Sequence, residues 1–123
     1  MTAEGAEEGS FRPVARLEEI PPGSARGFIV EGWPVLVARL PDKLCAILDR
    51  CSHAAARLSA GRVRRTSICC PVHGAMFDLS SGRCVGEHYR PLATFPVRVA
   101  DGMVEVIIPD HPPSPDQMPV DEL

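Results

Sequence analysis

Aromatic residues and long apolar runs are scarce in this chain of 123 residues. Aromatic side chains make up 5% of the sequence. A membrane span is not expected, because no run of about 18 apolar residues occurs. The first ten residues are acidic and small, and they lack both the basic and apolar regions of a signal peptide and a twin-arginine signal. These absences predict a cytoplasmic protein that does not bind membranes. Without a basic run interleaved with aromatics, nucleic-acid binding is not expected either.

Prolines and glycines are frequent instead, with thirteen and ten respectively, and they disfavour long helices. Hydrophobic residues make up 45% of the chain, which suffices for a single modest core. Asp101-Gly102 is a strong hairpin signal, and Glu31-Gly32 is interpreted as a turn that joins two strands. The sequence therefore predicts an all-β fold of short antiparallel strands closed as a sandwich or barrel. The predicted strands cover residues 27–30, 34–38, 44–48, 66–69, 75–79, 95–99 and 103–108.

Composition also divides the chain into three segments. Residues 1–10 are expected to be an acidic flexible tail, residues 11–109 the folded domain, and residues 110–123 a proline-rich C-terminal tail. The net charge is −3, but residues 26–100 carry eleven basic and five acidic residues. The centre of the chain is therefore basic and its two ends are acidic.

Two Cys/His pairs, Cys51-x-His53 and Cys70-x-x-His73, are separated by sixteen residues. Each pair offers one thiolate and one imidazole, and together they supply the four ligands that a soft metal centre needs. Both pairs fall in predicted loops at strand ends, which is a common location for functional residues. A structural zinc site with two Cys and two His is one physical alternative. Zinc fingers, however, usually pair Cys with Cys and His with His, whereas each pair here is mixed.

The residues that follow each pair carry a family resemblance. The first pair is followed by Leu58-Ser59-Ala60-Gly61, and the second runs into Gly74-Ala75-Met76-Phe77-Asp78. The pattern resembles the Rieske iron–sulfur family. This resemblance implies a Rieske fold over residues 11–109, with a two-loop subdomain that binds one [2Fe–2S] cluster per chain. It further implies that Cys51 and Cys70 bind one iron and that His53 and His73 bind the other.

The resemblance also predicts a low reduction potential. High-potential members of the family join the two ligand loops by a disulfide, but the matching positions here are Ala56 and Val72. Those members also place Ser and Tyr hydroxyls near a cluster sulfur, where this chain has Ala75 and Phe77. Because hydrogen bonds to the sulfurs stabilise added negative charge, their absence predicts a midpoint below about 0 mV.

Disulfide-free Rieske proteins of this size resemble the ferredoxin components of bacterial aromatic-ring-hydroxylating dioxygenase systems. The resemblance implies an electron carrier that is not itself an enzyme. It would pass single electrons from a flavin-dependent NAD(P)H reductase to a terminal oxygenase. The alternative is a bound small subunit, similar to the Rieske-like subunit of assimilatory nitrite reductase.

We also make predictions for other cysteines, a histidine and several arginines near the two pairs. The C-x-x-H spacing selects Cys70 as the ligand, and Cys69 and Cys45 are interpreted as small buried hydrophobic residues. His88 is interpreted as a surface residue in a loop that resembles the family's cluster-shielding loop. A group of arginines near the first pair is either an ordinary solvated surface or a docking surface for acidic redox partners. These arginines are Arg50, Arg57, Arg62, Arg64 and Arg65.

Overall fold

Ten short β-strands account for most of the regular structure in the computed structural model, which describes residues 10–52, 54–72, 74–86 and 89–119. Within the same residues there are three single turns of 3₁₀ helix, two between strands and one after the last strand. No helix within these residues has the length and hydropathy to cross a bilayer. The strands are β1 (Arg12–Arg16), β2 (Ala25–Val30), β3 (Trp33–Arg39), β4 (Leu44–Leu48), β5 (Arg62–Arg64), β6 (Ser67–Cys69), β7 (Met76–Asp78), β8 (Cys84–Val85), β9 (Val97–Ala100) and β10 (Met103–Val106).

The described strands form three small antiparallel sheets, in the orders β1-β10-β9, β2-β3-β4 and β5-β6-β7-β8. The prediction of an all-β fold of short antiparallel strands is confirmed. Both predicted hairpin turns are present, and their first residues, Glu31 and Asp101, have positive φ angles of 49° and 53°. Such angles match the twist of a two-residue hairpin turn. The second turn residue is a glycine in both cases, Gly32 and Gly102.

The central strand β3 is the most buried element. Its residues from Trp33 to Ala38 are all buried, because β3 pairs with strands on both sides and packs on both faces. Ile47 in β4 forms an isolated bridge to Thr94, which ties this sheet to the segment that leads into β9. The first two sheets are therefore joined through this segment, and we call the two together the base.

The third sheet positions the two predicted ligand loops. Residues 49–61 connect β4 to β5, and residues 70–75 connect β6 to β7. One face of this sheet packs inward, with Ile68 1% exposed and Phe77 fully buried. These side chains join the same hydrophobic core as Cys51 and Cys70. The two predicted ligand loops are therefore anchored at buried strands.

The C-terminal segment contacts the base beside the first loop. The indole N–H of Trp33 donates to the His111 carbonyl at 2.9 Å, and the Arg50 Nε donates to the Met118 carbonyl at 3.1 Å. A 3₁₀ turn at Pro115–Gln117 is closed by Ser114, whose backbone N–H donates to the Gln117 side chain at 2.8 Å. The boundaries predicted for the two tails remain a prediction. The described part of the C-terminal segment nevertheless reaches the residue that precedes Cys51.

Candidate metal centre

The two cysteines predicted as ligands lie in loops with the same backbone closure. The Cys51 N–H donates to the Ala56 carbonyl at 2.9 Å, and the Ala55 N–H donates to the Cys51 carbonyl at 2.8 Å. In the second loop the Cys70 N–H donates to the Ala75 carbonyl at 2.7 Å, and the Gly74 N–H donates to the Cys70 carbonyl at 3.1 Å. Each loop is therefore closed by bonds to the fourth and fifth residues after its cysteine.

A left-handed residue makes this closure possible in each loop. Gly74 has a φ of 81°, which glycine adopts without steric cost. Ala55 occupies the equivalent position with a φ of 62°, where a Cβ costs roughly 1 kcal/mol. The same turn is thus retained in the first loop despite local strain.

Both cysteine residues are buried where the loops leave the core. Cys51 is fully buried and Cys70 is 2% exposed. The other two predicted ligands, His53 and His73, lie outside the described residues. They follow their cysteines by two and three positions, inside loops whose backbone closure is the same. Two buried cysteines, each followed within three positions by a histidine, form a donor set that suits a Rieske-type [2Fe–2S] cluster, so the residues present fit this group.

A buried carboxylate, which the sequence analysis did not identify, fixes the first loop. Asp49 is fully buried two residues before Cys51. Its two oxygens accept the Ser59 N–H at 2.7 Å and the Ser59 hydroxyl at 2.6 Å. The Arg57 guanidinium lies 3.9 Å from the same carboxylate. Gly27 leaves room for this pair, because a Cβ there would overlap the Asp49 and Ser59 side chains.

Asp49 and Ser59 therefore join the beginning and the end of the first loop. We expect Asp49→Ala to lower the free energy of unfolding by about 3 kcal/mol. The substitution removes a buried, paired charge and leaves the Ser59 donors without an acceptor. Urea unfolding of the cluster-bound protein measures the change. Asp78→Ala is the matched control and should cost about 1 kcal/mol, because the Asp78 carboxylate accepts the Ser81 N–H in an exposed turn. Equal losses would contradict the assignment.

The segment after β8 approaches the first loop. The Ser52 hydroxyl donates to the Arg90 carbonyl at 2.7 Å, and the Leu92 N–H donates to the Gly82 carbonyl at 2.8 Å. The structure describes residues 89–92 of this segment, whereas His88 lies outside the described residues. The described part is thus fixed to Ser52, the residue beside Cys51.

The other cysteines differ in their surroundings. Cys45 is buried at 6% exposure, as predicted, and it lies within β4. Cys69 is partly exposed, so the prediction that it is a buried hydrophobic residue is wrong. The cause is the strand alternation, because Cys69 lies opposite Arg62 and Met76 on the outer face of the third sheet.

Comparison with known proteins tests the family resemblance. Residues 10–96 match the model of the Rieske [2Fe–2S] domain, and the chain belongs to this family. It is 33% identical to the ferredoxin subunit of anthranilate 1,2-dioxygenase from Burkholderia cepacia over 98 residues, which cover 78% of this chain and 90% of that subunit. The prediction of the Rieske fold and of a Rieske-type [2Fe–2S] cluster is confirmed.

Two solved structures extend the comparison. In a complex of reduced oxygenase and oxidised ferredoxin from carbazole 1,9a-dioxygenase, one chain is 32% identical, with a TM-score of 0.72, over 79% of this chain and 92% of that chain. A putative nitrite reductase small subunit gives a TM-score of 0.73 at 24% identity, over 80% of this chain and 99% of that chain. The second likeness shows the fold alone.

Proposed function

We propose that this chain is the ferredoxin component of an aromatic-ring-hydroxylating dioxygenase system. It would take single electrons from a flavin-dependent NAD(P)H reductase and pass them to a terminal oxygenase. The observation that carries the proposal is the pair of matched cysteine loops in a chain that is similar to dioxygenase ferredoxin subunits over most of their length. The carbazole dioxygenase complex, in which a similar chain accompanies its oxygenase, supports the oxygenase as a partner.

The ligand set follows the two loops. Cys51 and Cys70 would hold one iron, and His53 and His73 would hold the other. When bound, such a cluster takes up and releases one electron at a time. The chain itself supplies the buried cysteines, the closed loops and the Asp49–Ser59 contact that keeps the first loop in place.

Purified protein tests this function directly. Anaerobically prepared material should be red-brown, contain iron and acid-labile sulfide, and give the EPR signal of a mixed His/Cys cluster when reduced. Colourless protein that contains zinc would overturn the proposal. Gel filtration of cell extract then distinguishes a free carrier from a bound subunit, because a carrier runs as a small protein and a nitrite-reductase-type subunit runs with its partner.

The low potential predicted above has its own test at Ala75. This residue is 7% exposed, and its carbonyl closes the second loop. Ala75→Ser introduces a hydroxyl at the position where high-potential relatives have one, and a hydrogen bond of about 1 kcal/mol corresponds to roughly 40 mV for one electron. We expect redox titration to give a midpoint below about 0 mV that rises by tens of millivolts in the variant. Ala56→Ser, at the equivalent position of the first loop, is the control. A strongly positive midpoint in the unmodified protein would refute the prediction.

A further inference from the structure

Three arginines lie together on the hairpin formed by β5 and β6. Arg62 and Arg64 are exposed residues of β5, and Arg65 is an exposed turn residue with a φ of 61°. In the antiparallel register Arg62 pairs with Cys69 and Arg64 pairs with Ser67, while Val63 on the opposite face pairs with the buried Ile68. We call Arg62, Arg64 and Arg65 the arginine hairpin.

The charges of the arginine hairpin are not neutralised by any neighbour that the structure describes. Among the residues that the structure describes, no carboxylate lies within ion-pair distance of its three guanidinium groups. Five other arginines do contact a carboxylate, and the Arg50 side chain donates to the C-terminal segment. These five are Arg12, Arg16, Arg26, Arg57 and Arg98. Other cations without such a contact occur singly along the described chain, as at Lys43, Arg83 and Arg90, whereas three lie together on this hairpin.

This hairpin borders the second ligand loop. Arg62 and Arg64 line one surface depression together with Cys70, Pro71 and Gly74. At the tip of the same loop Val72 is 40% exposed. Val72 follows Pro71 of this depression in the chain, and a combination of arginines with an exposed apolar residue is typical of a protein interface, where arginine is enriched and the centre is apolar.

We propose that the arginine hairpin docks an acidic surface of the redox partner beside the second ligand loop. The inference rests on the proposed function and adds the chemistry by which the partner is recognised. The whole chain has a net charge of −3, so its overall field would repel an acidic protein. Charges beyond about 10 Å are screened at moderate salt, however, and the nearby guanidinium groups decide the final approach. Their planar donors also bind carboxylates in a bidentate manner.

Small charged oxidants measure the local field at this surface. Stopped-flow absorbance would follow oxidation of the reduced protein by the trianion hexacyanoferrate(III) and by the trication hexaamminecobalt(III), each at increasing salt. We expect added salt to slow oxidation by the anionic oxidant about threefold or more and to speed oxidation by the cationic oxidant. Each of the variants Arg62→Gln and Arg64→Gln should be oxidised more slowly by the anionic oxidant at low salt. Lys43→Gln is the control, because it removes the same charge at the opposite end of β4 from the first ligand loop.

A redox-inert probe provides a second readout that does not require the cluster. Titration with hexacyanocobaltate(III) should shift the arginine Nε–H resonances of the hairpin in NMR spectra, with weaker binding in Arg64→Gln. If added salt speeds oxidation by the anionic oxidant, the net negative charge dominates the reaction. That result would overturn the proposed docking surface. So would equal effects of Arg64→Gln and Lys43→Gln. Protein without visible absorption would contradict the proposed function instead, and the NMR titration would still decide the surface.

Discussion

Alanine at Cys51 or Cys70 is expected to abolish binding of the iron–sulfur cluster, whereas alanine at the neighbouring Cys69 is expected to leave it intact. Cys70 is buried at the base of a closed loop, and Cys69 lies on the outer face of β6 opposite Arg62. An iron held by two thiolates loses half of its protein ligands when one thiolate is removed, and the alanine methyl group offers no replacement. Iron and acid-labile sulfide content after anaerobic reconstitution measure the result.

The two adjacent cysteines make this a matched comparison. Cys69→Ala and Cys70→Ala remove the same atom one residue apart, and Cys45→Ala removes a buried thiol within β4, outside both loops. His53→Ala and His73→Ala should also lose the visible absorption if the imidazoles hold the second iron. A protein that keeps its cluster with Cys70→Ala and loses it with Cys69→Ala would overturn the proposed ligand set.

Much of the strand pattern could be predicted because it depends on local sequence. Apolar runs flanked by turn residues correctly indicated β2, β3, β4, β6, β7, β9 and β10, although their ends differ by a few residues. The Glu31-Gly32 and Asp101-Gly102 turns followed from the left-handed conformations that such residues tolerate. The apolar and turn residues within these segments suffice to predict them, so no information on distant contacts is needed.

Three strands were missed because their signal is not local. β1 contains a proline and two arginines, and it becomes a strand by pairing with β10 near the other end of the chain. β5 reads Arg-Val-Arg, and β8 has only two residues. Strands this short and polar are stabilised by the register of their neighbours rather than by their own apolar residues.

The candidate site shows the same division. The spacing of the Cys/His pairs predicted two ligand loops, because ligand geometry requires particular residue types at short separations, and this ligand set remains a prediction. The contact of Asp49 with Ser59 was missed, since a carboxylate after an apolar strand usually indicates only a turn. The contact of Met118 with Arg50 was also missed, because it joins residues 68 positions apart.

Gly82→Ala is expected to be among the most destabilising single substitutions outside the ligands. Gly82 is a buried turn residue between β7 and β8, with a φ of 78°. A Cβ there would overlap the backbone carbonyl of Leu92, and no side-chain rotation can relieve contact with a backbone atom. The variant must therefore move the segment of residues 89–92, whose Arg90 carbonyl accepts the Ser52 hydroxyl beside Cys51. We expect a loss of about 3 kcal/mol or more, together with reduced cluster content.

Gly23 separates the two causes of this loss. Its φ of 80° is nearly the same as that of Gly82, but a Cβ at Gly23 would meet nothing within 4 Å. Gly23→Ala should therefore cost only the left-handed conformation, about 1 kcal/mol. Thermal unfolding of both variants should place Gly82→Ala on the order of 10 °C below the unmodified protein and Gly23→Ala within a few degrees of it. If the two variants unfold at the same temperature, the close approach of Gly82 to Leu92 does not constrain the segment beside the first ligand loop.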